Sequence, residues 1–156
     1  MYFESGLNKV VFDMKEFGKK IKGIEYTRRP GSYGIIIKDG RIGVVKSSGY
    51  DTYFLVGGGI DEGENEAETL RREAIEEIGF QLEVKEKIGE AIEYLYVEEE
   101  KEYIAKECNF YRVSLADTTE EKGKHELVWI TKDRLGEMHH QSYQWIVEKE
   151  LKQQLN

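Results

Sequence analysis

The chain has 156 residues, 39% of them apolar and 12% aromatic, enough to bury a core in one domain and too many for a disordered segment. A net charge of −8 excludes a general basic surface for a nucleic acid polymer, and it repels a polyphosphate unless a metal ion or local arginines invert the field. A single cysteine, Cys108, excludes a disulfide framework and points to a reducing compartment, the cytoplasm.

Residues 1–20 mix apolar and charged positions without a clean period. They lack the apolar run of a secretion signal, and no stretch approaches the ~18 consecutive apolar residues of a membrane span. Three arrangements are open to this arm: a cap on a pocket, a pairing segment across a homodimer, or a free tail. Further on, Ile24 and Tyr26 alternate with polar residues as in a half-exposed strand, Arg28 follows in the series, and Pro30-Gly31 breaks the run. Residues 32–38 (SYGIIIK) read as a buried strand, Asp39-Gly40 as a hairpin turn and 41–46 (RIGVVK) as the returning strand. After a loop over 47–51, residues 52–56 (TYFLV) form a third strand. It runs into Gly57, Gly58 and Gly59, which free the backbone to turn and to approach a ligand closely. A helix is expected from Asn65 or Glu66 to a left-handed C-cap at Gly79.

Beyond the helix, residues 81–97 carry alternating stretches, EEEKE at 98–102 is a charged hairpin tip, and 103–115 return as a second long strand. A polar loop over 117–124 precedes a strand at 125–130 (HELVWI). Thr131 is the N-cap of a short helix, and residues 139–155 fit an amphipathic helix with Tyr143, Ile146, Val147 and Leu151 inward. Cys108, in mid-strand, reads as a small buried hydrophobe, and His139-His140 as the start of a helix rather than a metal site. This order of strands and helices gives an α/β class, with a mixed sheet packed between helices.

The helix after the glycines carries the chemistry. At about 100° per residue, Glu77 lies roughly 40° to one side of Glu73 and Glu76 roughly 60° to the other. Leu70, Ala74, Ala67 and Ile78 fall on the neighbouring arc, which seeks a core. Like charges such as Glu73 and Glu77 repel at this spacing, and a cation bound to the row turns the repulsion into affinity. An oxygen-only ligand set suits a hard divalent ion, Mg²⁺ above all.

The spacing Gly58-x5-Glu64-x7-Arg72-Glu73-Ala74-x-Glu76-Glu77-x-Gly79-Phe80 resembles the signature of the Nudix hydrolases. Every fixed position is filled, with Ala74 smaller than the usual Ile, Leu or Val, and Val56 stands where a proline often precedes the glycine pair. The element order over 21–155 is similar to the Nudix fold, an α/β/α sandwich with a central mixed β-sheet, so residues 1–156 read as a single domain of that kind. The resemblance implies Mg²⁺-dependent hydrolysis, with Mn²⁺ as a substitute, of a pyrophosphate bond in a nucleoside diphosphate linked to another moiety. That moiety makes the substrate a nucleoside triphosphate, an ADP-sugar or a dinucleoside polyphosphate. Glu73, Glu76, Glu77 and the Gly58 carbonyl are then the metal ligands, and Glu64 and Arg72 orient the loop and the carboxylates. Many members take a general base from a loop glutamate; Glu120, Glu121 and Glu126 are at hand, and Glu126, opening HELVWI, is favoured. Arg28 and Arg29 are candidate phosphate contacts, and Tyr33 and Phe54 candidate substrate-stacking residues. The expected partner is a small-molecule nucleotide, with no nucleic acid polymer and no membrane. A rival reading is a nucleotide-metabolite sensor on the same fold, although a pure sensor has no chemical need for all three glutamates.

Overall fold

The computed structural model describes residues 11–154, so the first ten residues of the arm and the last residue assigned to the final helix lie outside it. The elements in chain order are β1 (Lys15–Phe17), β2 (Thr27–Lys38), β3 (Arg41–Lys46), β4 (Tyr53–Phe54), β5 (Val56–Gly59), α1 (Glu66–Ile78), β6 (Phe80–Val97), β7 (Glu102–Thr118) and β8 (Glu126–Ile130). A 3₁₀ helix (Lys132–Glu137) and α2 (Gln141–Gln154) complete the chain. The sheet runs β1-β6-β7-β2-β3-β4, with β5 also on β2 and β8 also on β3. It is mixed: β1 lies parallel to β6 and β2 parallel to β7, and the remaining pairs are antiparallel.

Alternation along the strands gives the sheet two apolar faces. On β2, Ile35 joins a core with Val44, Phe110 and the α2 residues Tyr143, Ile146 and Val147. Its neighbour Ile36 turns to the other side, where Val45, Val56 and Val113 meet Leu70, Ala74 and Ile78 of α1. The result is the expected α/β/α sandwich. Among the described residues no helix is long and apolar enough to cross a membrane.

Two strand boundaries differ from the sequence reading. Pro30 does not break a run, because β2 continues through it from Thr27 to Lys38. The Pro30 carbonyl accepts a hydrogen bond from Ile60 N–H at 3.0 Å, on the β5 side. The N–H that proline lacks belongs to that same side, where pairing with β5 begins only at Gly31, so no ladder bond to β7 is lost. The strand expected at 52–56 is two strands: β4 pairs with β3 and β5 with β2. Buried Leu55 marks the change of neighbour, and it brings the glycine run into the sheet beside β2. Thr131 precedes the 3₁₀ helix as expected but caps no backbone N–H; its hydroxyl bonds the Asp133 carboxylate instead.

Helix α1 begins with a capping box. The Asn65 side chain accepts from Glu68 N–H at 2.8 Å, and the Glu68 carboxylate accepts from Asn65 N–H at 2.9 Å. It ends on Gly79 at φ 71°, a left-handed C-cap that a side chain would strain. Cys108 is buried, and burial pushes its thiol up to about 11, which leaves it unreactive.

A buried carboxylate marks where α2 starts. Glu93 of β6 accepts from Ser142 N–H at 3.1 Å and lies 3.4 Å from His140 Nδ1. Burial opposes its charge, but His140 and Ser142 outweigh that and hold it at about 2, while burial keeps His140 below its usual range. A depressed carboxyl stabilises the fold above its unfolded value near 4.5 and loses that contribution as pH falls toward 2. A depressed histidine acts in the same direction, because the unfolded chain takes up its proton first. Thermal stability of the wild type is therefore expected to fall between pH 4.5 and 2 more steeply than that of Glu93→Gln. Parallel slopes in calorimetric melts would remove Glu93 from this account.

Candidate active site

The site forms where α1 faces β5. Gly57 has φ 136°, and a Cβ there would lie 2.1 Å from the Ser32 carbonyl oxygen, so only glycine lets β5 lie this close to β2. Its N–H donates to Glu77 Oε1 at 3.0 Å. A Cβ on Gly58 would lie 2.7 Å from the Glu73 carboxyl carbon, so the bare backbone of Gly58 seats that carboxylate. Glu76 is the outermost of the three, its side chain 42% exposed against 17% for Glu73.

Arg72 ties the carboxylates to the loop between β5 and α1. Its guanidinium donates to Glu64 through Nε at 2.6 Å and Nη2 at 3.0 Å, and to Glu73 at 2.9 Å. It also reaches Glu76 at 3.3 Å and the Gly59 carbonyl at 3.2 Å. Glu64 in turn accepts from Asp61 N–H at 3.0 Å and the Thr69 hydroxyl at 2.8 Å. The Arg72 hydrogen bonds hold the Glu64 carboxyl at about 2. The opposite holds one turn along: burial pushes Glu77 up to about 8, and the charges of Glu73 and Glu76 add to the rise against the pull of the Gly57 N–H. Burial likewise raises Glu73, against Arg72.

These side chains do not yet form a cage. Among the described residues no three His, Cys, Asp or Glu side chains are gathered closely enough to hold a metal as they stand. Glu73 and Glu76 lean on Arg72, and Glu77 on the Gly57 amide. The donor chemistry nevertheless fits a hard divalent cation, since the row offers only oxygens and carries more negative charge than Arg72 balances.

A cleft of ≈ 280 Å³ adjoins the row, lined by Gly57, Gly58, Glu77, Phe54, Tyr33 and Lys106 among others. A larger hollow of ≈ 900 Å³ lies beyond it, sharing Ser47 and His125 but holding none of the three helix glutamates. The candidate site is therefore the smaller cleft. The chain before β8 is docked on the end of α1: Thr119 N–H donates to Gly79 O at 2.9 Å, Lys124 N–H to Glu76 O at 2.9 Å and His125 N–H to Glu77 O at 2.8 Å. That docking leaves Glu126 exposed, in the wall of the larger hollow rather than of the cleft.

Of the candidates from sequence, the structure brings together Gly58, Glu73, Glu76, Glu77, Glu64 and Arg72, and places Tyr33 and Phe54 in the adjoining wall. It does not bring Arg28 and Arg29 there. Arg28 is paired with Glu107 at 2.5 Å and Arg29 with Glu100 and Glu102, and neither lines the cleft. Sequence reasoning missed Lys106, His125, His140 and Tyr143, all of which line it. A ring stack also stands at this wall, with His139 over Phe54 at 4.5 Å and Tyr50 edge-on to Phe54 at 5.2 Å.

The model of the NUDIX domain family matches residues 27–155. No curated protein matches the chain. Among solved structures, the MutT protein from Methanosarcina mazei Go1 superposes with a TM-score of 0.65 at 17% identity, covering 86% of this chain and 99% of that one. A NUDIX hydrolase from Nitrosomonas europaea gives 0.64 at 12% identity over 80% and 88% of the two chains. A UDP-X diphosphatase gives 0.60 at 20% identity over 84% and 68%.

Proposed function

Because the chain belongs to the NUDIX family of pyrophosphohydrolases, we propose that it cuts a pyrophosphate bond in a nucleoside diphosphate linked to another moiety, in a Mg²⁺-dependent reaction. The observation that carries this reading is the seating of Glu73 and Glu77 against the Gly57-Gly58 backbone at the mouth of a cleft. Glu73, Glu76, Glu77 and the Gly58 carbonyl would hold the ion, with Mn²⁺ able to replace it. When bound, a divalent ion neutralises phosphate oxygens and lowers the pKa of an attacking water. Arg72 and Glu64 keep the carboxylates in place through the bonds described above. Tyr33 and Phe54 flank the nucleotide. Glu126, favoured from sequence as the general base, lies in the wall of the larger hollow and is given no role in this reading. The substrate is a small-molecule nucleotide: a triphosphate, an ADP-sugar or a dinucleoside polyphosphate.

The test is product release from a panel of such nucleotides by wild type and Glu76→Gln, each with Mg²⁺ and with a chelator. Wild type is expected to cut at least one of them, with the rate falling roughly a hundredfold or more in the variant and under chelation. If nothing is cut and a nucleotide still raises the melting temperature of both proteins, the chain is a sensor and the hydrolase reading fails.

A further inference from the structure

Lys106 stands on β7 in the series Ile104, Lys106, Cys108, Phe110, whose other three members are buried. Residues two apart share a face of a strand, so a lysine occupies a position that the fold otherwise fills with apolar groups. Its ammonium donates to the Tyr33 hydroxyl and sits 4.1 Å from the centre of the Tyr33 ring and 5.5 Å from that of Tyr143. Taking an ammonium out of water is costly without compensation. Part of that compensation is the charge of Glu93, its register partner on β6 and itself buried. An ammonium has three donors, and among the described residues the bond to Tyr33 is the only one that this side chain makes. Among the described residues Lys106 is also the only lysine or arginine in the wall of the cleft, which it shares with Gly57, Gly58 and Glu77. A protein of net charge −8 has particular need of such a group if it is to admit a polyphosphate.

We propose that Lys106 binds a phosphate oxygen of the substrate through its two remaining donors, as the positioning cation of the cleft. This rests on the hydrolase reading and adds to it the group that draws the polyphosphate in. Arg28 and Arg29, whose guanidinium groups are already held by Glu107 and by Glu100 and Glu102, do not line the cleft and leave this role to Lys106. If Lys106 served only as counter-ion to Glu93, its loss would lower stability without a specific effect on phosphate binding.

The test compares wild type, Lys106→Met and Lys106→Arg by calorimetric titration with inorganic pyrophosphate and Mg²⁺, and by steady-state kinetics on a nucleotide that wild type cuts. Lys106→Met is expected to weaken pyrophosphate binding and raise KM roughly tenfold to a hundredfold, with kcat changed only a few-fold, and Lys106→Arg to recover most of the loss. Should Lys106→Met fold poorly, the double variant Lys106→Met/Glu93→Gln removes both buried charges together and carries the same expectation. Unchanged KM and pyrophosphate affinity overturn the proposal and leave Lys106 a counter-ion. Nucleotide affinity that falls while pyrophosphate affinity holds also overturns it, because the lysine then reads the base or sugar. A wild type that binds no pyrophosphate and cuts no nucleotide overturns the hydrolase reading, and this proposal with it.

Discussion

Glu77→Gln is expected to lower turnover by at least about a thousandfold while leaving the protein as stable as wild type, or more so, in the presence of a chelator. The amide keeps an oxygen where Glu77 Oε1 accepts from the Gly57 N–H at 3.0 Å, so the tie between α1 and β5 survives. It removes a charge that burial and the neighbouring Glu73 and Glu76 already oppose. Without a cation, that charge contributes nothing to the fold; in the proposed reading a bound cation makes it an anionic ligand that glutamine cannot replace. Two measurements separate these effects. Melting temperatures in chelator should match or exceed wild type, and added Mg²⁺ should raise the wild-type value but not that of the variant. A variant that melts well below wild type, or retains a tenth of its activity, would make Glu77 a structural link between helix and strand and no more.

The glutamate row is legible from sequence because it depends only on the period of one helix. So are the caps at Asn65 and Gly79, which act within a turn of where they stand. Positions set by distant pairing are not legible in this way. Arg28 reads as a phosphate contact from its place on a strand, but its partner Glu107 is 79 residues away and arrives only because β2 and β7 run side by side. His125 reaches the cleft through an amide bonded to the Glu77 carbonyl, a docking that no local pattern announces. Pro30 misleads for a related reason. A proline stops a strand only where its N–H is needed, and that depends on where β5 ends. Lys106 is the intermediate case: Ile104, Cys108 and Phe110 already mark the inward face of its strand, and a charged residue in that series is a local signal of a site.

The two glycines of β5 should fail in opposite ways. Gly57→Ala is expected to destabilise the protein by more than about 3 kcal/mol, seen as a fall in melting temperature of roughly 10 °C or as failure to fold. Its φ of 136° is one that an L residue rarely adopts, and its Cβ would meet the Ser32 carbonyl at 2.1 Å, backbone against backbone, with no flexible group to give way. Gly58→Ala meets only the end of the Glu73 side chain, at 2.7 Å from its carboxyl carbon. That carboxylate can swing aside, so the expected stability cost is below about 1 kcal/mol. Displacing it by about an ångström nevertheless takes a proposed metal ligand out of the carboxylate row, and activity should fall by roughly a hundredfold. Paired melts and rate measurements on the two variants decide the matter. If Gly58→Ala retains activity in proportion to its folded fraction, the seat for Glu73 has no part in the reaction, and the close approach of β5 to α1 serves packing alone.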